Sequence, residues 1–193
     1  MPAHYALSDA AIVLVALWAA PALWQRQHVL PAFAIACFGT AAAIGVVRFG
    51  AGLQAELAAL HASGSQVLGL AGLLALAVAG VGGSSRHANA VSLATLALAI
   101  GLFLLNPKLV GPISMLAVMA ALTVGLWRAI RFGASWFGPA GLLLLLVDTV
   151  AIRRAPWLSE AAAWHAYHLL IALTLLALAT GALRGQPPEG KAG

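Results

Sequence analysis

Charge is what this sequence has least of. Only 8% of its 193 residues are Asp, Glu, Lys or Arg, against about a quarter in a soluble domain, and that shortage excludes a water-soluble globule. No window is dominated by polar residues, which excludes a disordered, collagen-like or coiled-coil chain. A single cysteine, Cys37, excludes a disulfide framework and a cysteine-based zinc site. What the chain has instead is apolar side chains: 63% of residues are hydrophobic and the mean hydropathy is +0.99. The sequence is that of an all-α integral membrane protein.

A bilayer core of about 30 Å needs roughly 20 mostly apolar residues per helix. Runs bounded by Pro, Gly, Asn or basic residues predict seven such spans, at 7–24, 30–50, 65–82, 89–105, 110–127, 136–152 and 160–183. They fill one domain, 1–183, followed by a short polar tail, 184–193. The first run lacks a basic leader region, so it is read as a mature helix and not a signal peptide. Ser8 or Asp9 is expected to cap the first helix, Ser159 to precede the last, and Pro31, Pro112 and Pro139 to sit in first turns, where a missing backbone donor costs little. Connections of a few residues make neighbouring helices antiparallel, and a sequential up-down seven-helix bundle is the expected packing.

With seven spans the termini fall on opposite sides. Arg26, Arg86, Arg128, Arg131, Arg184 and Lys191 share the side of the C-terminus, whereas Arg48, Lys108, Arg153 and Arg154 share that of the N-terminus. Six against four places the C-terminus in the cytoplasm and the N-terminus outside, as expected for a bacterial inner-membrane protein. The net charge of +5 is scattered over short loops, which suits membrane lipids as partners and excludes nucleic acid.

Ionisable side chains within a bilayer cost several kcal/mol on insertion scales and usually face the bundle interior, so each is a candidate for function. Asp9 opens the first span, Arg48 closes the second, Asn106 ends the fourth, Asp148 lies one turn from the end of the sixth, and His165 and His168 lie early in the seventh. Glu56 and His61 fall in the connection between the second and third. All map to the N-terminal side. Helical spacing puts Arg48 on a stripe with Ala34, Cys37, Ala41 and Gly45. Asn106 shares one with Ser92, Thr95 and Ala99, and the two histidines share one with Ala161 and Ala172. Small and polar residues mark buried faces in membrane bundles, so a polar pocket containing Asp9, Arg48 and Asn106 is expected near that surface.

His165 and His168 are spaced i and i+3, one helical turn apart on one face. Such a pair with Asp148 as third ligand forms a candidate zinc site that would activate water against an ester or amide, with Arg48 stabilising the developing oxyanion. The same residues also read as hydrogen-bonding or interfacial side chains, and Asp148 as the neutraliser of Arg48 or Arg153. Two functions therefore stand side by side: a metal-dependent lipid amide or ester hydrolase, and a non-catalytic membrane protein that binds a lipid or small ligand or assembles with a partner.

Seven short spans with a histidine-bearing last helix resemble the seven-span hydrolase superfamily of alkaline ceramidases and adiponectin receptors. Leu7-Ser8-Asp9 and the Tyr-His-Leu-Leu element at 167–170 are also similar to small bacterial seven-span proteins. The resemblance implies a zinc hydrolase whose last-span histidines, at i and i+4, are joined by a histidine in the second span and an aspartate in the third. Here the spacing is i and i+3, the second span ends in Arg48, and the third carries no acid.

Overall fold

The computed structural model describes residues 3–81, 87–153 and 155–184. Arg86, Arg154 and Lys191 of the charge count lie outside them, as does most of the tail. Every described regular element is helical: α1 Tyr5–Gln25, α2 Val29–Gly50, α3 Ala58–Val81, α4 Ala88–Leu105, α5 Val110–Phe132, α6 Phe137–Val147 and α7 Glu160–Arg184. A 3₁₀ turn, Pro107–Leu109, leads into α5, and a π-helical turn, Asp148–Ile152, continues α6.

Six of these helices are long and apolar enough to cross a membrane, which makes this a helical integral membrane protein. The element at the expected sixth span is shorter, 11 residues of α-helix and 5 of π-helix, about 24 Å at 1.5 Å per residue.

Local chemistry sets the helix ends. The Ser159 hydroxyl accepts from the Ala162 amide at 3.2 Å and so caps α7. Gly133 ends α5 with φ 64°, a left-handed backbone that glycine adopts without strain. Two starts differ from expectation. α1 begins at Tyr5, so Ser8 and Asp9 are not caps but buried residues of its first two turns. α3 begins at Ala58 and takes up His61, because the Ser63 hydroxyl that interrupts the apolar run turns back to the Ala59 carbonyl at 2.9 Å. Ser92, Thr123 and Thr149 do the same within their own helices, keeping hydroxyls satisfied where lipid offers no partner.

Sequential packing holds except at α4. α1, α2, α3, α5, α6 and α7 pack in that order around a closed ring, α7 returning to α1, and α4 lies outside it against α3. α3 and α5 are therefore direct neighbours, and the Arg128 guanidinium near the end of α5 reaches the Gly80 carbonyl near the end of α3 at 3.2 Å. The buried residues of α4 are Ala88, Ser92, Thr95 and Ala99, the small-residue stripe the sequence marked.

Lipid tails are as apolar as leucine, so helix association in a bilayer rests on close packing and interhelical hydrogen bonds. At Gly39 a side chain would collide with Ala16, which brings α1 and α2 together. Thr174, fully buried in α7, donates to the Gly141 carbonyl of α6 at 3.0 Å.

Candidate functional site

At the amino end, the end of the bundle where α1 begins, four helices bring polar side chains together. α1 contributes Tyr5, Ser8 and Asp9 through its first two turns, and α7 contributes Trp164, His165 and His168 from its own. α2 ends there with Gly45, Arg48 and Phe49, and α3 starts there with His61. Asp9 is wholly buried, and Ser8, His61 and His168 nearly so.

The centre is a carboxyl and an imidazole. His168 Nε2 lies 3.1 Å from Asp9 Oδ1, within ion-pair range, though the pair is not aligned as a regular hydrogen bond. His168 Nδ1 stands 2.8 Å from the Trp164 carbonyl one turn earlier. A carbonyl only accepts, so Nδ1 carries a hydrogen, and a neutral ring then turns its Nε2 lone pair toward Asp9. Two lone pairs at that distance repel. The Asp9–His168 pair therefore holds a proton between them, as a carboxylic acid beside imidazole or as a carboxylate beside imidazolium.

His61 is polarised from the other direction. The Arg48 guanidinium places Nη1 3.2 Å from His61 Nδ1 and Nε 3.0 Å from the Gln54 carbonyl, and its planar face covers the Phe49 ring at 4.9 Å. Arginine only donates, so Nδ1 accepts and the neutral ring keeps its hydrogen on Nε2. That Nε2 and the Asp9 carboxyl both border the face of Gly45. A β-carbon built on Gly45 would overlap Asp9 Oδ2 and stand 2.9 Å from Asp9 Cγ and 3.0 Å from His61 Nε2. Glycine is required here so that carboxyl and imidazole can share this space.

Aromatic rings enclose the group. Trp164 stacks on His168 at 4.3 Å and meets Tyr5 at 5.1 Å and Phe49 at 5.3 Å. Asp9 Oδ2 and the Trp164 indole N–H are buried and have no hydrogen-bond partner, which leaves one acceptor and one donor of the site to engage a third molecule.

The structure divides the residues expected from sequence. Asp9 and Arg48 belong to this cluster. The two histidines of α7 part: His168 turns to Asp9, whereas His165 sets Nδ1 3.0 Å from the Ser8 hydroxyl and Nε2 3.4 Å from His4 Nδ1. Asp148, buried with both oxygens unpartnered, leads the π-turn on the α6–α7 seam. Arg153, which closes that turn onto the Asp148 carbonyl at 3.0 Å, lies over the Tyr167 ring at 5.4 Å. Asn106 is exposed and not in the pocket: its Oδ1 accepts from the Lys108 amide at 3.2 Å and caps the 3₁₀ turn. His61, Trp164 and Gly45 join the site although no short motif marks them.

Zinc, which the hydrolase resemblance implies, can be tested against this donor set. Among the described residues no three His, Cys, Asp or Glu side chains are grouped to hold a metal ion, and His165, His168 and Asp148 do not converge. His168 has the ligand-ready form, Nε2 free and Nδ1–H anchored on a carbonyl. His61 does not, because Arg48 occupies its Nδ1, leaves hydrogen on Nε2 and adds a positive charge beside any cation. The residues present do not fit a three-ligand zinc centre.

No protein-family model, no curated protein and no solved structure matches this chain.

Proposed function

We propose that this is a seven-span membrane protein, in which α6 and its π-turn also cross the bilayer as the sixth span and the amino end lies outside a bacterial inner membrane. We further propose that it hydrolyses an ester or amide of a lipid without a metal. The observation carrying this reading is the buried Asp9–His168 contact, an acid–base pair in a low-dielectric setting where ionisable groups are otherwise costly. The pair removes a proton from water, the water oxygen attacks the carbonyl carbon, and the pair returns the proton to the departing alcohol or amine. The His61 Nε2–H, polarised by Arg48, donates to the carbonyl oxygen as it gains negative charge. The Trp164 indole N–H orients the carbonyl or the water.

The test is release of fatty acid from lipid esters and N-acyl lipids by the purified full-length protein in nanodiscs. Chelator is included throughout. Turnover lost in Asp9→Asn supports the reading; a wild-type protein that cleaves neither class overturns it. A second reading, a non-catalytic binder of a lipid or small polar ligand, is favoured by the complete burial of Asp9 beneath the rings. It predicts a lipid that co-purifies intact and is lost in Asp9→Asn.

A further inference from the structure

One stripe of α3 changes character half-way along the helix. At 3.6 residues per turn Ala62, Ser65, Gln66, Gly69, Leu73 and Leu76 fall on one face. The other faces are covered by neighbours. Gly64 and Gly72 meet Ile44, Ala34 and Phe38 of α2, and Leu70 and Ala71 share an apolar cluster with Ala99 of the outlying α4 and Val110 at the start of α5. Toward the carboxyl end of the bundle, where α7 finishes, the stripe is closed. Leu73 and Leu76 are buried in one core with Ala121 of α5, Leu142 and Leu145 of α6 and Leu175 of α7, so this face of α3 looks into the ring of helices.

Toward the amino end the same inward face is open. Ala62, Ser65 and Gln66 are exposed, and a β-carbon on Gly69 would meet nothing within 4 Å. The ring is thus filled by leucines at one end and open at the other, a blind well with its mouth at the amino end. Ser65 stands one turn deeper than His61, about 6 Å along the helix, and the His61 ring faces Trp164 of α7 at 6.3 Å. The well therefore adjoins the Asp9–His168 site.

Its polar groups are idle. Ser63, Ser92, Thr123 and Thr149 return their hydroxyls to carbonyls of their own helices, but the Ser65 hydroxyl and the Gln66 carboxamide bond to no other described residue. Gln66 lies about 12 Å from the start of α3, a depth at which hydrocarbon offers no partner. The stripe carries no charge.

We propose that this well binds the uncharged, hydroxyl- or amide-bearing part of an amphiphile, with Ser65 and Gln66 hydrogen-bonded to that group and the chain end against Leu73 and Leu76. A hydroxyl or an amide both donates and accepts, as Gln66 does. A carboxylate or an ammonium group would bring charge to a lining that has no counter-charge.

The test is thiol labelling of the full-length protein in nanodiscs, with the variants Ala62→Cys, Gln66→Cys and, as a lipid-facing reference, Leu98→Cys on the exposed side of α4. Native Cys37 is buried, and wild-type protein sets the background. A charged methanethiosulfonate, which stays in water, modifies Ala62→Cys and Gln66→Cys and spares Leu98→Cys. Oleyl alcohol protects Ala62→Cys at about one fifth of the concentration that octadecene requires, the worth of one hydrogen bond, and adding Gln66→Leu removes that difference. Ala62→Cys and Gln66→Cys variants that resist the charged reagent and take only lipophilic N-ethylmaleimide would put the stripe against lipid and overturn the proposal. Equal effects of the two compounds, or a difference that survives Gln66→Leu, would overturn it as well. Neither compound has a bond to hydrolyse, so the result stands apart from the proposed hydrolysis.

Discussion

The two ends of the bundle use ionisable side chains in opposite ways. At the carboxyl end the arginines are exposed and have no acidic partner among the described residues, and Arg26 and Arg128 tie helix ends together through the Leu183 and Gly80 carbonyls, as basic side chains at a membrane surface readily do. At the amino end Asp9 and His168 are drawn inside, pressed against Gly45 and roofed by rings. Charge at a membrane surface costs little and needs no explanation beyond topology. A carboxyl and two imidazoles buried together cost several kcal/mol, and that cost is the reason the proposed hydrolysis is assigned to this end.

The largest expected effect separates the ends directly. Asp9→Asn removes the proton-sharing partner of His168 and lowers turnover 10²- to 10⁴-fold, the usual contribution of general acid–base catalysis. Arg131→Gln at the other end, an exposed side chain remote from the cluster, leaves turnover within about twofold. Equal losses in the two variants would erase the distinction. Next in size is Arg48→Leu, which frees His61 Nδ1 and weakens the oxyanion donor. Loss of one such donor costs about 10²- to 10³-fold in kcat, here with KM little changed, and a chelator leaves wild-type turnover intact.

Smaller effects sharpen the structural side. Gly45→Ala pushes the Asp9 carboxyl from its seat and lowers turnover with a modest fall in melting temperature, whereas the same change at half-buried Gly101, where a β-carbon meets nothing within 4 Å, has no effect on activity. Thr174→Val removes the α6–α7 hydrogen bond and costs about 0.6 kcal/mol, with about 1.7 as the upper range for such bonds in membranes. The smallest effect is on pH dependence. His28, in the turn between α1 and α2, has its pKa held below the ordinary 6.5 by burial and by the nearby Arg26 charge. The unfolded chain therefore binds the proton more readily, and this contribution to stability is present above pH 6.5 and lost as pH falls below it. In a melting series from pH 7.5 to about 5, His28→Gln is expected to flatten the acid side of the curve slightly.

Much of the fold was legible because lipid imposes a simple rule on composition and length. The apolar runs located every helix, and small-residue stripes located the buried faces of α2 and α4: Ala34, Cys37, Ala41 and Gly45 on one, Ser92, Thr95 and Ala99 on the other. Helix starts were less legible, since a serine that can return its hydroxyl to its own helix reads like a break. That ambiguity hid His61, placed in a loop by pattern but on the first turn of α3 by structure, and made Ser8 and Asp9 look like caps. The displacement of α4 from the ring leaves no local mark at all. His165 and His168 share a helix face in the sequence, yet the ring partners, Ser8 and His4 for one and Asp9 for the other, come from the start of α1. Spacing on one helix says nothing about the opposing wall.

The most direct test of the central claim, that Asp9 and His168 act as one proton-holding unit, is a double-mutant cycle on lipid hydrolysis in nanodiscs with Asp9→Asn, His168→Gln and the combination. The account predicts that either single change costs nearly as much as both, because groups sharing a proton fail together. Losses that simply multiply, or a His168→Gln variant with wild-type turnover, would contradict it.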